Sequence, residues 1–107
     1  MKKVLMSVLA MGALSISSYA SCNVDSCTGK VEKLFVTATG TLYVGMEGNE
    51  GALNCTAPAG VYMSLKEADV GKNAMYSLLL TAKTTGKSIT VRAQTGSPDC
   101  RVLYVAQ

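Results

Sequence analysis

Four cysteines, Cys22, Cys27, Cys55 and Cys100, carry the most legible chemistry of this chain, and no histidine accompanies them. Zinc sites use closely spaced Cys or His pairs, and Cys22 and Cys27 are the one such pair here. Disulfides are the better reading. Four cysteines allow three pairings; Cys22 with Cys27 and Cys55 with Cys100 is favoured. Oxidised cysteines cannot act as nucleophiles, and without histidine the usual general base near neutral pH is missing. Glu47 and Glu50 flank a Gly-rich loop and read as solvated carboxylates. Gly86-Lys87-Ser88 ends like a phosphate-binding loop, but Thr81 stands at the first-glycine position and the order runs helix to strand. No catalytic residue, metal ligand or cofactor is therefore assigned, and the chain does not read as an enzyme.

The residues suited to binding are tyrosines. Tyr43, Tyr62, Tyr76 and Tyr104 each join an apolar ring to a hydroxyl, a combination that fits sugar rings and protein interfaces. Tyr43 and Tyr62 alternate with apolar neighbours and should point outward, as should Arg92 among Ser88 and Thr90. Tyr43, Tyr62 and Arg92 are the candidate ligand-binding residues.

These side chains need elements to hold them. Alternation predicts strands over 30–38 and 41–47, the latter with Leu42, Val44 and Met46 on one face. A third extended region runs over 52–66, interrupted at Pro58-Ala59-Gly60. Ser21–Gly29 reads as a polar lead-in, and Thr39-Gly40 as a tight turn. A helix follows, with Asn73 as its N-cap and Gly86 as its left-handed stop. On it Ala74, Met75, Leu78, Leu79 and Ala82 share an arc of about 140°. Tyr76 and Leu80 form a second apolar pair, for which an oligomer interface is the expectation. Strands close the chain over 87–94, with Ile89, Val91 and Ala93 inward, and over 101–106.

At the other end, Lys2 and Lys3 precede an apolar run of 13 residues, Val4–Ile16, and Ser18-Tyr19-Ala20. That is a bacterial-style export signal, cleaved after Ala20, since a membrane span needs about 20 apolar residues. Tyr19-Ala20-Ser21-Cys22 also resembles a lipoprotein box, with Tyr19 where Leu is usual. The mature part, residues 21–107, is one disulfide-containing domain. Without Lys2 and Lys3 it has eight basic and seven acidic residues, a net charge of +1. The cations alternate with acids, so nucleic acid is not an expected partner. No second apolar run could span a membrane. The protein is expected in the periplasm or secreted.

The fold class is mainly β with one α-helix. The order β-β-β-α-β-β is that of the OB-fold, a small five-stranded Greek-key barrel whose helix joins the third and fourth strands. Export signal, disulfides, this order and the helix-to-strand run MYSLLLTAKTTGKSITVRA (Met75–Ala93) together resemble the B subunits of AB5-type bacterial toxins. The resemblance implies a secreted subunit that forms a homo-oligomeric ring, binds host-surface glycans and accompanies an exported catalytic subunit. Several weak sites in one ring would act by avidity. The alternative reading is a monomeric periplasmic protein with a structural, stress or inhibitor role and a protein partner.

Overall fold

The computed structural model of the chain describes residues 21–107, so the expected export signal and its cleavage point lie outside the described residues. Seven strands and one helix follow in the order β1 (Ser21–Cys22), β2 (Ser26–Gly29), β3 (Val31–Val36), β4 (Leu42–Met46), β5 (Met63–Leu65), α1 (Lys72–Thr85), β6 (Ile89–Ala93) and β7 (Val102–Ala106). They form a four-stranded sheet, β1-β2-β6-β7, and a three-stranded sheet, β3-β4-β5, every pairing antiparallel. The protein is thus mostly β with one helix, and the two sheets are not closed into a barrel.

Alternation explains the inner faces. Leu42, Val44 and Met46 of β4 and Ile89, Val91 and Ala93 of β6 are all buried, and they meet Met63, Leu65 and Val102 in one core. Only Lys30 separates β2 from β3, so a single run pairs with β6 in its first half and with β4 in its second. A parallel bridge between Ser64 and Arg101 links the two sheets on the far side. There Ser64 donates its N–H to the Cys100 carbonyl (3.1 Å) and its hydroxyl to the Asp99 carbonyl (2.8 Å). Lys66–Asp99 (3.2 Å) and Arg101–Asp69 (3.1 Å) ion pairs flank this seam.

Disulfides join Cys22 to Cys27 and Cys55 to Cys100. The first occupies the sulfur of Cys22, which leaves no thiol for a lipid thioether. Both bridges belong to an oxidising, exported environment. No helix among the described residues is long and apolar enough to cross a membrane.

Four expectations are corrected. The lead-in contains two strands, β1 paired with β2 and β2 with β6, because Cys27 faces the core opposite Val91 and Thr28 pairs with Thr90 through their hydroxyls at 2.9 Å. Residues 52–56 are not a strand: Asn49 caps the Gly51 N–H, and Asn54 and Thr56 donate to the loop carbonyls of Val24 and Ser97. The helix begins at Lys72 after Gly71, so Asn73 lies inside its first turn rather than capping it. A ladder of turns, Lys66 N–H to the Asp69 carboxylate and Lys72 N–H to the Asp69 carbonyl, delivers the chain into the helix early. The buried ridge of α1 is Leu79 and Ala82, with Met75 and Tyr76 packed against the core, while Ala74 and Leu78 face solvent. Gly86 does end the helix in the left-handed region, at φ 70°.

Candidate functional site

The outer face of β3 and β4 carries the most distinctive surface of the protein. On β4, Tyr43 and Gly45 point away from the core because Leu42, Val44 and Met46 point into it. Phe35 is the register partner of Tyr43, and their rings stack with centroids 5.2 Å apart. Tyr62 arrives from the next connection. The turn at Pro58–Gly60, left-handed at Ala59 (φ 55°) and Gly60 (φ 78°), folds the chain back so that the Tyr62 N–H donates to the Pro58 carbonyl. Its ring then stands 5.4 Å from Phe35, edge-on, and 5.9 Å from Tyr43. Three aromatic rings therefore form one partly exposed platform, and such pairs favour these offset and edge-to-face arrangements.

A cleft of about 420 Å³ adjoins the platform, with Tyr62, Gly45, Lys33, Glu32 and Glu50 among its walls. A bulge in β3 between Val31 and Lys33 puts one extra residue into that strand. Glu32 and Lys33 both reach the cleft as a result, a usual consequence of a bulge, which re-aims side chains. Glu50 is 3 % exposed, contrary to its reading as a solvated loop residue. Its carboxylate accepts the Met46 N–H, and Glu47 in turn accepts the Lys30 N–H at 3.0 Å. Burial raises the Glu50 carboxyl above its ordinary value; the Met46 N–H and its own N–H pull the other way, and the nearby charge of Glu32 adds to the rise.

That direction has a measurable consequence. A carboxyl raised in the folded state binds its proton more tightly folded than unfolded. Its contribution is present in acid and lost as pH climbs from the ordinary glutamate value of about 4.3 through the raised one. Glu50→Gln keeps a carbonyl for the Met46 N–H and removes the titration. In urea unfolding from pH 4 to pH 8, wild type is expected to lose stability relative to Glu50→Gln as pH rises. A difference that is flat, or of the opposite slope, contradicts the burial account.

The structure brings Tyr43 and Tyr62 together but not Arg92. Arg92 lies on the other sheet, in the row Ser26–Arg92–Tyr104, with its guanidinium 3.3 Å from the Asp25 carboxylate and 6.0 Å from the centre of the Tyr104 ring. These partners commit it locally, and the three candidates do not form one site. The helix pair is also divided. Tyr76 is half-buried against the core, and Leu80 is 40 % exposed. About 100° of helical rotation per residue puts Leu78 and Leu80 on opposite flanks of Leu79.

Sequence alone gives Phe35, Lys33 and Gly45 no role, and it gives Glu50 that of a solvated carboxylate. The signal for Phe35 was available in its lone status as the phenylalanine of the chain, but the bulge upstream blurs the alternation of β3. Comparison with protein families, characterised proteins and solved structures finds no match for this chain.

Proposed function

We propose that the protein is an exported binding module that recognises glycans through the Phe35–Tyr43–Tyr62 platform and works as a homo-oligomer. The platform carries the reading. Sugar rings present apolar C–H faces that pack on aromatic rings, and the three rings offer such a face at the sheet surface, with Phe35 36 % exposed. The disulfides fix the scaffold behind it. The OB-like barrel is part of the same proposal: the run through Lys30 shared by both sheets and the Ser64–Arg101 bridge support a ring of neighbours β2/β3, β4, β5, β7 and β6. Export to the periplasm or medium, and an exported catalytic companion as in the AB5-type toxins, would complete the picture.

Exposed apolar residues support assembly. Leu78 and Leu80 on α1, and Leu103 and Tyr104 on the edge strand β7, are 37 to 50 % exposed. Beyond the Arg101 bridge β7 pairs with β6 alone, and an edge left open in this way pairs readily with another chain. The same edge favours the second reading, a monomer that takes a protein partner by strand addition.

A glycan array probed with the disulfide-bonded protein tests the first reading. Tyr43→Ala and Tyr62→Ala are each expected to weaken glycan binding about tenfold, the effect of losing roughly 1.4 kcal/mol of ring contact. Native mass spectrometry should show a discrete oligomer at tens of micromolar. A silent array together with a strict monomer would transfer the case to the protein-partner reading.

A further inference from the structure

We propose that the cleft beside the platform is the ligand subsite itself, that it takes an uncharged pyranose, and that it selects against acidic sugars. The inference rests on the glycan reading and narrows it to one place and one chemistry.

Size comes first. About 420 Å³ is enough for a sugar ring, at the small end of the range of about 300–1,000 Å³ typical of ligand clefts. Shape comes from Gly45. A Cβ at that position would lie 3.3 Å from Cδ1 and Cε1 of Tyr62 and 3.5 Å from the Val61 carbonyl. The ring of Tyr62 therefore rests on bare backbone and walls the cleft closely, as a larger residue at 45 would prevent. Polar residues line the same cleft: the bulge brings Glu32 and Lys33 to it, and Glu50 joins them. Neither Glu32, Lys33 nor Glu50 forms an ion pair among the described residues. Ionised carboxylates only accept hydrogen bonds and lysine only donates. Adjacent sugar hydroxyls, which do both, match that mixture, with the C–H face of the ring against Tyr62.

Charge decides among sugars. The cleft holds two carboxylates and one ammonium, and one carboxylate is nearly enclosed. A ligand carboxylate would meet Glu50 where water screens least, and repulsion there is correspondingly stronger. An uncharged ring avoids that cost.

Amide NMR titration of the disulfide-bonded protein decides the matter. The probes are methyl glycosides of glucose, galactose and mannose, set against glucuronic acid and N-acetylneuraminic acid. At least one neutral glycoside should shift the amides of Gly45, Gly48 and Val61, with affinity about tenfold or more above either acid. Gly45→Val should abolish those shifts by displacing Tyr62. Lys33→Met, at an exposed site that preserves folding, should weaken the neutral ligand several-fold. Glu50→Gln should narrow the preference over acids. Equal or tighter binding of an acidic sugar in the cleft overturns the selectivity. Sugar shifts confined to other surfaces, with Lys33→Met and a folded Gly45→Val both unchanged, overturn the subsite while leaving glycan binding intact. Silence toward every sugar here and on the array overturns both.

Discussion

Replacing both Cys55 and Cys100 with alanine is expected to lower the unfolding free energy by about 4 kcal/mol. The bridge closes a loop of 45 residues, and the entropy removed from the unfolded chain grows with the logarithm of loop length. The other bridge spans a separation of five residues, so Cys22→Ala/Cys27→Ala should cost nearer about 2 kcal/mol by the same relation. The native seam cannot make up the difference. Around Cys100 it consists of two hydrogen bonds from Ser64 and two ion pairs with partly exposed side chains, each pair worth at most about 1 kcal/mol. Because a domain of this size has a total stability of about 5–10 kcal/mol, loss of the long bridge removes a large part of it. Urea unfolding of the two double variants, followed by circular dichroism, gives the comparison. Equal losses would mean that the seam, not the cross-link, holds β5 to β7.

Tyr62 immediately precedes β5, which pairs with β4 through its own ladder and is tied by that seam to the start of β7. Scaffold and site are thus connected through one short strand.

Strictly alternating segments were legible from the amino-acid order alone. Leu42-Tyr43-Val44-Gly45-Met46 and Ile89-Thr90-Val91-Arg92-Ala93 each have one face with a single possible destination, and both are buried as read. The pairing Cys55–Cys100 was likewise the favoured choice. Where tertiary partners decide, the order of residues was silent. Ser26–Gly29 has just Cys27 to signal a core face, and a cysteine counted as a cross-link hides its role as a buried apolar residue. The apolar pattern turns the helix too far toward Ala74 and Leu78, yet Tyr76, longer and reaching past its own backbone, covers more core than Ala74 could. At the site, alternation pointed Tyr43 outward, but nothing local announces that Tyr62 would fold back beside it across the Pro58–Gly60 turn. Glu50 was the hardest case. Its burial depends on the Met46 N–H at the end of β4, four residues upstream in the chain but in a different element.

The helix offers the second large effect, through two neighbouring leucines. Leu79 is fully buried, whereas Leu80 is 40 % exposed. Leu79→Ala removes three carbons from a core that includes Met63, Leu65 and Val91, and such truncations cost about 2–5 kcal/mol through lost burial and the cavity left behind. Leu80→Ala should change protomer stability by no more than about 0.5 kcal/mol, as surface substitutions do. If α1 faces another copy, however, Leu80→Ala should shift the oligomer toward monomer at unchanged protomer stability, while Leu79→Ala should weaken both together. Measuring unfolding and native mass spectra for the two variants separates packing within the protomer from packing between copies. An unaltered oligomer in Leu80→Ala and in Leu78→Ala would exclude this helix from the interface and leave β7 as the edge through which copies meet.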